Sequence, residues 1–384
     1  MKKAFLFFSA QYLPTAGGVE RYTCNLGRRL VEMGHRVTVV TSALPGLPRH
    51  ETGEDGIEIY RFPSWLLMGG RFPVLKPCSR LTRELFQNHF DCCIINTYFY
   101  PMSIYAAFQC RRRGIPAIVI NHGSAWLMTG SPLLQLMGRI YERCAAGLVH
   151  SRCPRFFGVS GAALDWLNTF RIRGDGIITN AVDPEEISAG ADRSLCWREA
   201  QGLPRDAKII AFIGRMIPEK GVEPMVEAMA EIRRTCPDTW LIMAGGGPLL
   251  DRLRDHPVPG VIAAGVQPYE AVLALLQQSQ LFCLPSRSEG FACTVLEAAA
   301  LGCPIVTTAT GGSPDLLISP EYGILLPGME AGPIAEACIR ALSDEGWRQK
   351  AADLAETRLK ENFTWDAAVR QLLEAFDLEE VPVS

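Results

Sequence analysis

Two glutamates with seven residues between them, Glu289 and Glu297, stand in the run Pro285-Ser-Arg-Ser-Glu-Gly-Phe-Ala-Cys-Thr-Val-Leu-Glu297. An apolar run of strand length ends near Leu284, and a polar loop leads to a helix expected to begin around Ala292–Cys293. Glu289 then lies in the loop at the strand's carboxyl end, and Glu297 lies roughly one to two turns into the helix. The start of such a helix offers unpaired N–H groups and a partial positive charge, which suits a phosphate. Carboxylates on either side can accept hydrogen bonds from sugar hydroxyls. An ordinary βα loop with solvated glutamates fits the same spacing equally well.

Four further segments carry candidate chemistry. Arg215 and Lys220 lie in Gly214-Arg-Met-Ile-Pro-Glu-Lys-Gly221, directly after a strand expected at Ile209–Ile213. Two fixed cations there could stabilise a diphosphate that gains charge as it departs; alone, they read more readily as solvated surface. Gly17 and Gly18 join the first strand to the first helix, where backbone can approach an anion closely. The spacing is not G-x-G-x-x-G, so the dinucleotide fingerprint is absent. His122 follows the apolar strand Ala117–Asn121. Gly246, in a Gly245-Gly-Gly-Pro turn, and Val266, after Gly265, follow two later strands and are weak signals by themselves.

These residues need a scaffold of alternating strands and helices. Apolar runs of strand length alternate with helix-period segments throughout, the pattern of parallel βαβ units. Strands are expected at Ala4–Ser9, Arg36–Thr41, Ile57–Phe62, Cys92–Asn96, Ala117–Asn121, Phe156–Val159 and Gly176–Thr179. After a lapse in periodicity over 181–206 they resume at Ile209–Ile213, Trp240–Ala244, Val261–Ala264, Leu281–Leu284 and Ile305–Thr308. Helices fit Val19–Met33, stopped by Gly34, then Val222–Thr235, Pro268–Gln278, Cys293–Leu301, Ile334–Leu342 and Trp365–Asp377. The 384 residues exceed what one core usually serves, so two domains are expected, 1–183 and 184–364. The closing segment 365–384 is expected to return to the first domain. Two doubly wound domains would face each other across a central ligand cleft.

Composition excludes other classes. Apolar residues make up 48 % and charged residues 21 %, which rules out a disordered chain or a rod. No uncharged apolar run reaches the ~18–20 residues of a membrane span. The net charge of −3 conceals an asymmetry: 21 basic against 12 acidic side chains over 1–183, and 17 against 29 thereafter. The thirteen cysteines form no C-x-x-C pair or zinc-ligand spacing, and read as small buried hydrophobes in a reducing cytosol. The opening Lys2-Lys-Ala-Phe-Leu-Phe-Phe imitates a secretion signal, but its apolar part is short and Gln11 and Pro14 follow, so it reads as a buried strand.

The block Glu289-Gly-Phe…Val-Leu-Glu297-Ala, with Gly302-Cys-Pro304 beyond it, resembles the signature of the retaining GT-B glycosyltransferases of family 4, also called glycosyl transferases group 1. Gly214-Arg215…Lys220-Gly221, the Gly17-Gly18 loop and His122 fit the same resemblance, which therefore spans essentially the whole chain. It implies that Glu289 binds donor-sugar hydroxyls and Glu297 the nucleotide ribose, while Arg215 and Lys220 clamp the diphosphate. Gly17 and Gly18 would reach the donor phosphates, and His122 would hydrogen bond to the sugar or orient the reaction. Gly246 and Phe291-Ala292-Cys293-Thr294 would line the donor site, with Val266 near the base. Two departures stand out: Ala292-Cys293 replace the usual glycine and apolar residue, and Asp315 replaces a glutamate.

The implied activity is transfer of a sugar from a nucleotide-sugar donor to a hydroxyl acceptor with retained configuration, through front-face attack aided by the leaving diphosphate. Cell-surface polysaccharide, lipopolysaccharide or glycolipid synthesis is the expected setting. No Asp-x-Asp pair is present to hold a metal and diphosphate, so neither metal nor cofactor is expected. A nucleotide-sugar epimerase, a phosphorylase and a non-catalytic nucleotide-sugar binder are the alternatives, the phosphorylase lacking a recognisable pyridoxal lysine. The basic half is expected to handle a sugar or lipid-linked acceptor. Aromatic and basic residues over 60–90 (Tyr60-Arg-Phe62, Trp65–Met68, Arg71, Lys76, Arg80, Arg83), with Arg111–Arg113, Arg139, Arg143, Arg152 and Arg155, either solvate ordinary faces or attach it to an anionic membrane. The expected location is the cytoplasm, peripheral on the inner membrane face. Dispersed charge and the lack of a recognition motif make nucleic acid a poor partner.

Overall fold

A computed structural model describes residues 2–15, 17–70, 72–126 and 131–378. Arg71 and residues 379–384 lie outside the described residues. The chain divides into two compact units, one of residues 1–180 with 365–384 and one of 181–364. Each is an α/β unit built on a largely parallel sheet. Drawn at this boundary, the first unit holds 22 basic and 16 acidic side chains and the second 16 and 25.

The first sheet runs in the order Gly176–Ile177, Phe156–Gly158, Ala117–Asn121, Cys92–Asn96, Ala4–Phe8, Arg36–Ser42, Glu58–Phe62, His50–Thr52. Ala4–Phe8 and Cys92–Asn96 are buried along their whole length, as central parallel strands covered on both faces must be. This is why they read as unbroken apolar runs rather than alternating ones. The helix Gly18–Glu32 leaves the first strand, and Gly34 ends it at φ 85°, donating its N–H to Val31 O. Tyr60, Arg61 and Phe62 belong to a buried strand, and Arg61 pairs with Glu51 at 2.6 Å, so they are not part of a basic surface.

The second sheet runs Val261–Gly265, Thr239–Ala244, Lys208–Ile213, Leu281–Leu284, Ile305–Thr308, Ile324–Leu326, all parallel. In sequence order this is 3-2-1-4-5-6, the doubly wound arrangement whose strand order reverses between its first and fourth strands. Trp365–Ala375 packs on Gly18–Glu32 within the first unit. The Trp365 ring meets Tyr22 edge-on at 5.8 Å, Arg29 Nε donates to Asp366 Oδ1 at 2.6 Å, and Thr179 N–H donates to Gln371 Oε1 at 2.8 Å.

Several elements carry no clear sequence signal. The strand His50–Thr52 and the hairpin Ser64–Leu67 with Phe72–Leu75 are antiparallel additions. The helices Pro132–His150 and Glu345–Asn362 also go beyond the expected set. Glu345–Asn362 buries only Ala351, Ala352, Ala355 and Leu359, so its apolar stripe is mostly alanine.

Leu372 is fully buried on the closing helix. Leu372→Ala should cost about 2–5 kcal/mol of first-unit stability by the usual cavity penalty, read as a lower urea midpoint of one unfolding transition. An unchanged midpoint would show that the closing helix adds nothing to the fold.

Candidate active site

The second sheet brings Arg215, Lys220 and Glu289 to one place by its strand order. Arg215 and Lys220 follow Lys208–Ile213, and Glu289 follows Leu281–Leu284, its neighbour in the sheet across the reversal. Connections leave such a pair on opposite faces, opening a crevice at the carboxyl ends where ligands bind in doubly wound sheets. Lys220 Nζ and Glu289 Oε1 form an ion pair, with only 16 % and 13 % of their side chains exposed. Backbone joins the two loops as well, Arg287 N–H donating to Glu219 O at 2.8 Å. Arg215 is exposed and makes no ion pair among the described residues.

Two carboxylates and a helix start complete this end of the unit. The helix begins at Cys293, and no side chain caps it, Ala292 being its N-cap residue. Cys293 and Thr294 are partly exposed in its first turn. Glu297 is buried in the same helix, and its Oε1 accepts from the Tyr269 hydroxyl at 3.2 Å. Phe291 is buried, packing edge-on against Phe363 at 5.4 Å, so its ring supports the loop from beneath. Gly311 and Gly312 lie against Glu289-Gly290 backbone and the Phe291 ring, where a Cβ would collide.

The glycine turn at 245–247 serves packing first. Gly245 has φ 143°, and a Cβ there would overlap the carbonyl oxygen of Gly214. Gly246 O accepts from Met216 N–H at 2.8 Å, so this turn fixes the backbone on either side of Arg215. Gly246 also sits against the Val266 side chain, which is 78 % exposed. The sequence singles out this glycine turn and puts Gly246 at the donor site, whereas the packing constraint falls on Gly245.

In the first unit the strand order reverses between Ala4–Phe8 and Cys92–Asn96. Gly17 and Gly18 follow the first of these; Gly17 is the N-cap of an uncapped helix, and Glu20 in its first turn is buried. Burial raises the Glu20 pKa, with its own backbone N–H opposing. Asn96 ends the second strand and was missed by sequence reasoning. His122, one strand further along the sheet, bonds to Asn96 Oδ1 through Nε2 at 2.9 Å, and its ring meets Tyr22 edge-on at 4.8 Å.

The neighbours of Asn96 settle the direction of that bond. Asn96 Nδ2 donates to Thr23 Oγ1 at 2.8 Å, and the Thr23 hydroxyl donates to Val19 O at 2.7 Å. The amide oxygen therefore faces His122, which must donate from Nε2, leaving Nδ1 as an acceptor. Thr97, next in the chain, holds φ 64°, a strained conformation for a β-branched residue, and its buried hydroxyl has no partner among the described residues.

Burial pushes the His122 pKa down to about 3, so the ring is neutral at physiological pH. The unfolded ring titrates near 6.5, so the unfolded chain binds a proton that the folded one refuses. The stability this contributes is whole above about pH 6.5 and falls as pH drops towards 3. The ring resonances should show no titration between pH 5 and 8 by NMR. An inflection near 6.5 would place a charged imidazolium in the site instead. Asn96→Leu should lower kcat more than it raises KM, because it removes orientation rather than binding; an equal change in both would make Asn96 merely structural.

Comparison with known proteins extends this geometry. Residues 16–186 match the family described as Glycosyltransferase Family 4, and residues 196–360 match Glycosyl transferases group 1. A GDP-mannose-dependent alpha-(1-6)-phosphatidylinositol monomannoside mannosyltransferase of Mycolicibacterium smegmatis is 26 % identical over 88 % of this chain and 89 % of its own. Sucrose-phosphate synthase from Thermosynechococcus elongatus shares the fold at TM-score 0.75 and 19 % identity, over 98 % of both chains. The Anabaena protein HepE, solved with UDP-glucose, does so at TM-score 0.72 and 17 % identity, over 98 % of this chain and 99 % of its own. With both halves matched and the doubly wound units in place, the chain belongs to the GT-B glycosyltransferases of family 4, group 1, and is a transferase enzyme.

Proposed function

We propose that this glycosyltransferase moves a sugar from a nucleotide-sugar donor to a hydroxyl acceptor with retention of anomeric configuration. The observation that carries this reading is the Lys220–Glu289 pair at the strand-order reversal, beside the exposed Arg215 and an uncapped helix start. A carboxylate held by a lysine is a fixed acceptor for sugar hydroxyls. The guanidinium of Arg215 and the helix start meet the charge growing on the departing diphosphate. Glu297, positioned by Tyr269, suits a ribose hydroxyl. The neutral His122 supplies a hydrogen bond to the reacting sugar through Nδ1 rather than a positive charge.

Two relatives support the donor class. The Mycolicibacterium enzyme is named for GDP-mannose, and HepE was solved with UDP-glucose. Glu289 is paired with a lysine, which suits attack from the acceptor itself better than an enzyme nucleophile. A cell-surface polysaccharide, lipopolysaccharide or glycolipid acceptor suits the net positive first unit, working at an anionic membrane face of the cytoplasm. Phosphate charge is met by Arg215 and Lys220, without a metal.

Screening UDP-, GDP- and ADP-sugars by thermal shift should identify one nucleotide that raises Tm. With that donor, Arg215→Ala and Glu289→Ala should each reduce kcat by about 10²–10³, the scale of one lost electrostatic contact in a transition state. Activity should survive EDTA, and the product anomer should match the donor's by NMR. Full transfer by Glu289→Ala would overturn the site, and an inverted product would overturn retention.

A further inference from the structure

We propose that the first unit docks on an anionic phospholipid surface through one apolar face, formed by the N-terminal half of the helix Pro132–His150 and the paired strands Ser64–Leu67 and Phe72–Leu75. The inference rests on the membrane setting of the proposed function and assigns it a surface. That surface is apolar at its centre, and only a few of the basic half's dispersed cations border it.

The helix is 19 residues long, roughly 28 Å. Its buried residues, Glu142, Ala145, Ala146 and Val149, all lie in its second half. In its first half Leu133, Leu136, Met137 and Ile140 are 54–66 % exposed. Their spacing of three and four places them on one face, and the exposed Cys144 and Leu148 continue it. Such a row of large side chains in water is unfavourable without a cover.

The hairpin adds to the same surface. Its strands pair with Leu67 opposite Phe72, and the Phe72 ring meets Tyr141 of the helix at 5.6 Å. Trp65, Leu67 and Met68 on its outer strand and turn are each at least half exposed. The two apolar features are therefore joined through Phe72 and Tyr141.

Charge identifies the partner. The only acid on the helix is Glu142, which is buried, and residues 64–76 contain none. Among the described residues, exposed charges bordering the face include Arg139 and Arg143, both within 6 Å of the Trp126 ring, and Lys76, 5.3 Å over the Trp65 ring. An apolar stripe rimmed by cations and aromatic rings suits the boundary between acyl chains and anionic headgroups. A second copy of this chain would set these cations against each other. No helix among the described residues is long and apolar enough to cross a membrane, so the contact is lateral.

The test is sedimentation of the full chain with vesicles of phosphatidylcholine alone or mixed with phosphatidylglycerol. Wild type should bind the mixed vesicles and leave the neutral ones. Leu136→Glu with Met137→Glu should abolish binding while Tm and donor hydrolysis in solution stay unchanged. Arg139→Gln and Arg143→Gln should each weaken binding about fivefold at low salt. A polarity-sensitive dye on Cys144, the one exposed cysteine among the described residues, should shift to the blue on the mixed vesicles. Unchanged vesicle binding by the Leu136/Met137 double variant would overturn the proposal. So would a wild-type protein that ignores vesicles but self-associates through these residues. Because vesicle binding is scored without any transfer, its failure is distinct from a failure of donor hydrolysis, which would overturn the proposed function instead.

Discussion

Reversal of strand order is the constraint on which the rest of this protein depends. A parallel sheet wound outwards in both directions from its first strand has one place where neighbouring connections leave on opposite faces. Backbone there cannot cover the carboxyl ends of the strands, and the residues that follow them are left together in a crevice. In the second sheet this brings Lys220 to Glu289 from 69 residues away. In the first it brings the Gly17-Gly18 loop, Asn96 and the adjoining His122 to one end of the sheet.

At both places polar groups are held by partners before any ligand arrives. Lys220 and Glu289 share one mostly buried pair, so removing either leaves the other charge poorly solvated. His122 is fixed by a neutral relay through Asn96 and Thr23 to the carbonyl of Val19. The relay sets its tautomer, and burial keeps it uncharged. The strained backbone at Thr97 beside this relay is the kind of cost that persists where surrounding structure enforces a geometry. Within the second unit the held groups are charged, and within the first they are joined by neutral, directed hydrogen bonds.

Much of this was legible from one-dimensional pattern. Cys92–Asn96, Ala117–Asn121, Leu281–Leu284, Ile305–Thr308 and the helix Val222–Thr235 have the bounds that their apolar runs suggest, because central strands and their covering helices are buried along their length. Ile324–Leu326 and His50–Thr52 were not legible, being three-residue edge strands with no room for a pattern. Glu345–Asn362 was hidden by its alanine face, which scores little as apolar. Asn96 and Tyr269 were missed because an amide closing a strand and a tyrosine opening a helix are ordinary residues until their partners are known.

By itself, the sequence determined the α/β alternation and the glycines at the strand ends, which depend on local propensity or short spacing, while the Arg215, Lys220, Glu289 and Glu297 set rested on the resemblance of its motifs to a known family. Only the tertiary structure decided that Lys220 is paired while Arg215 stays exposed, that Phe291 supports its loop from within, and that His122 donates through Nε2. It also decided that Tyr60, Arg61 and Phe62 are interior while the leucines from 133 to 136 face outwards. The reason is physical: hydrogen-bond direction, ion pairing and burial belong to pairs of residues far apart in the chain, and periodicity reports only how a segment is disposed about its own axis.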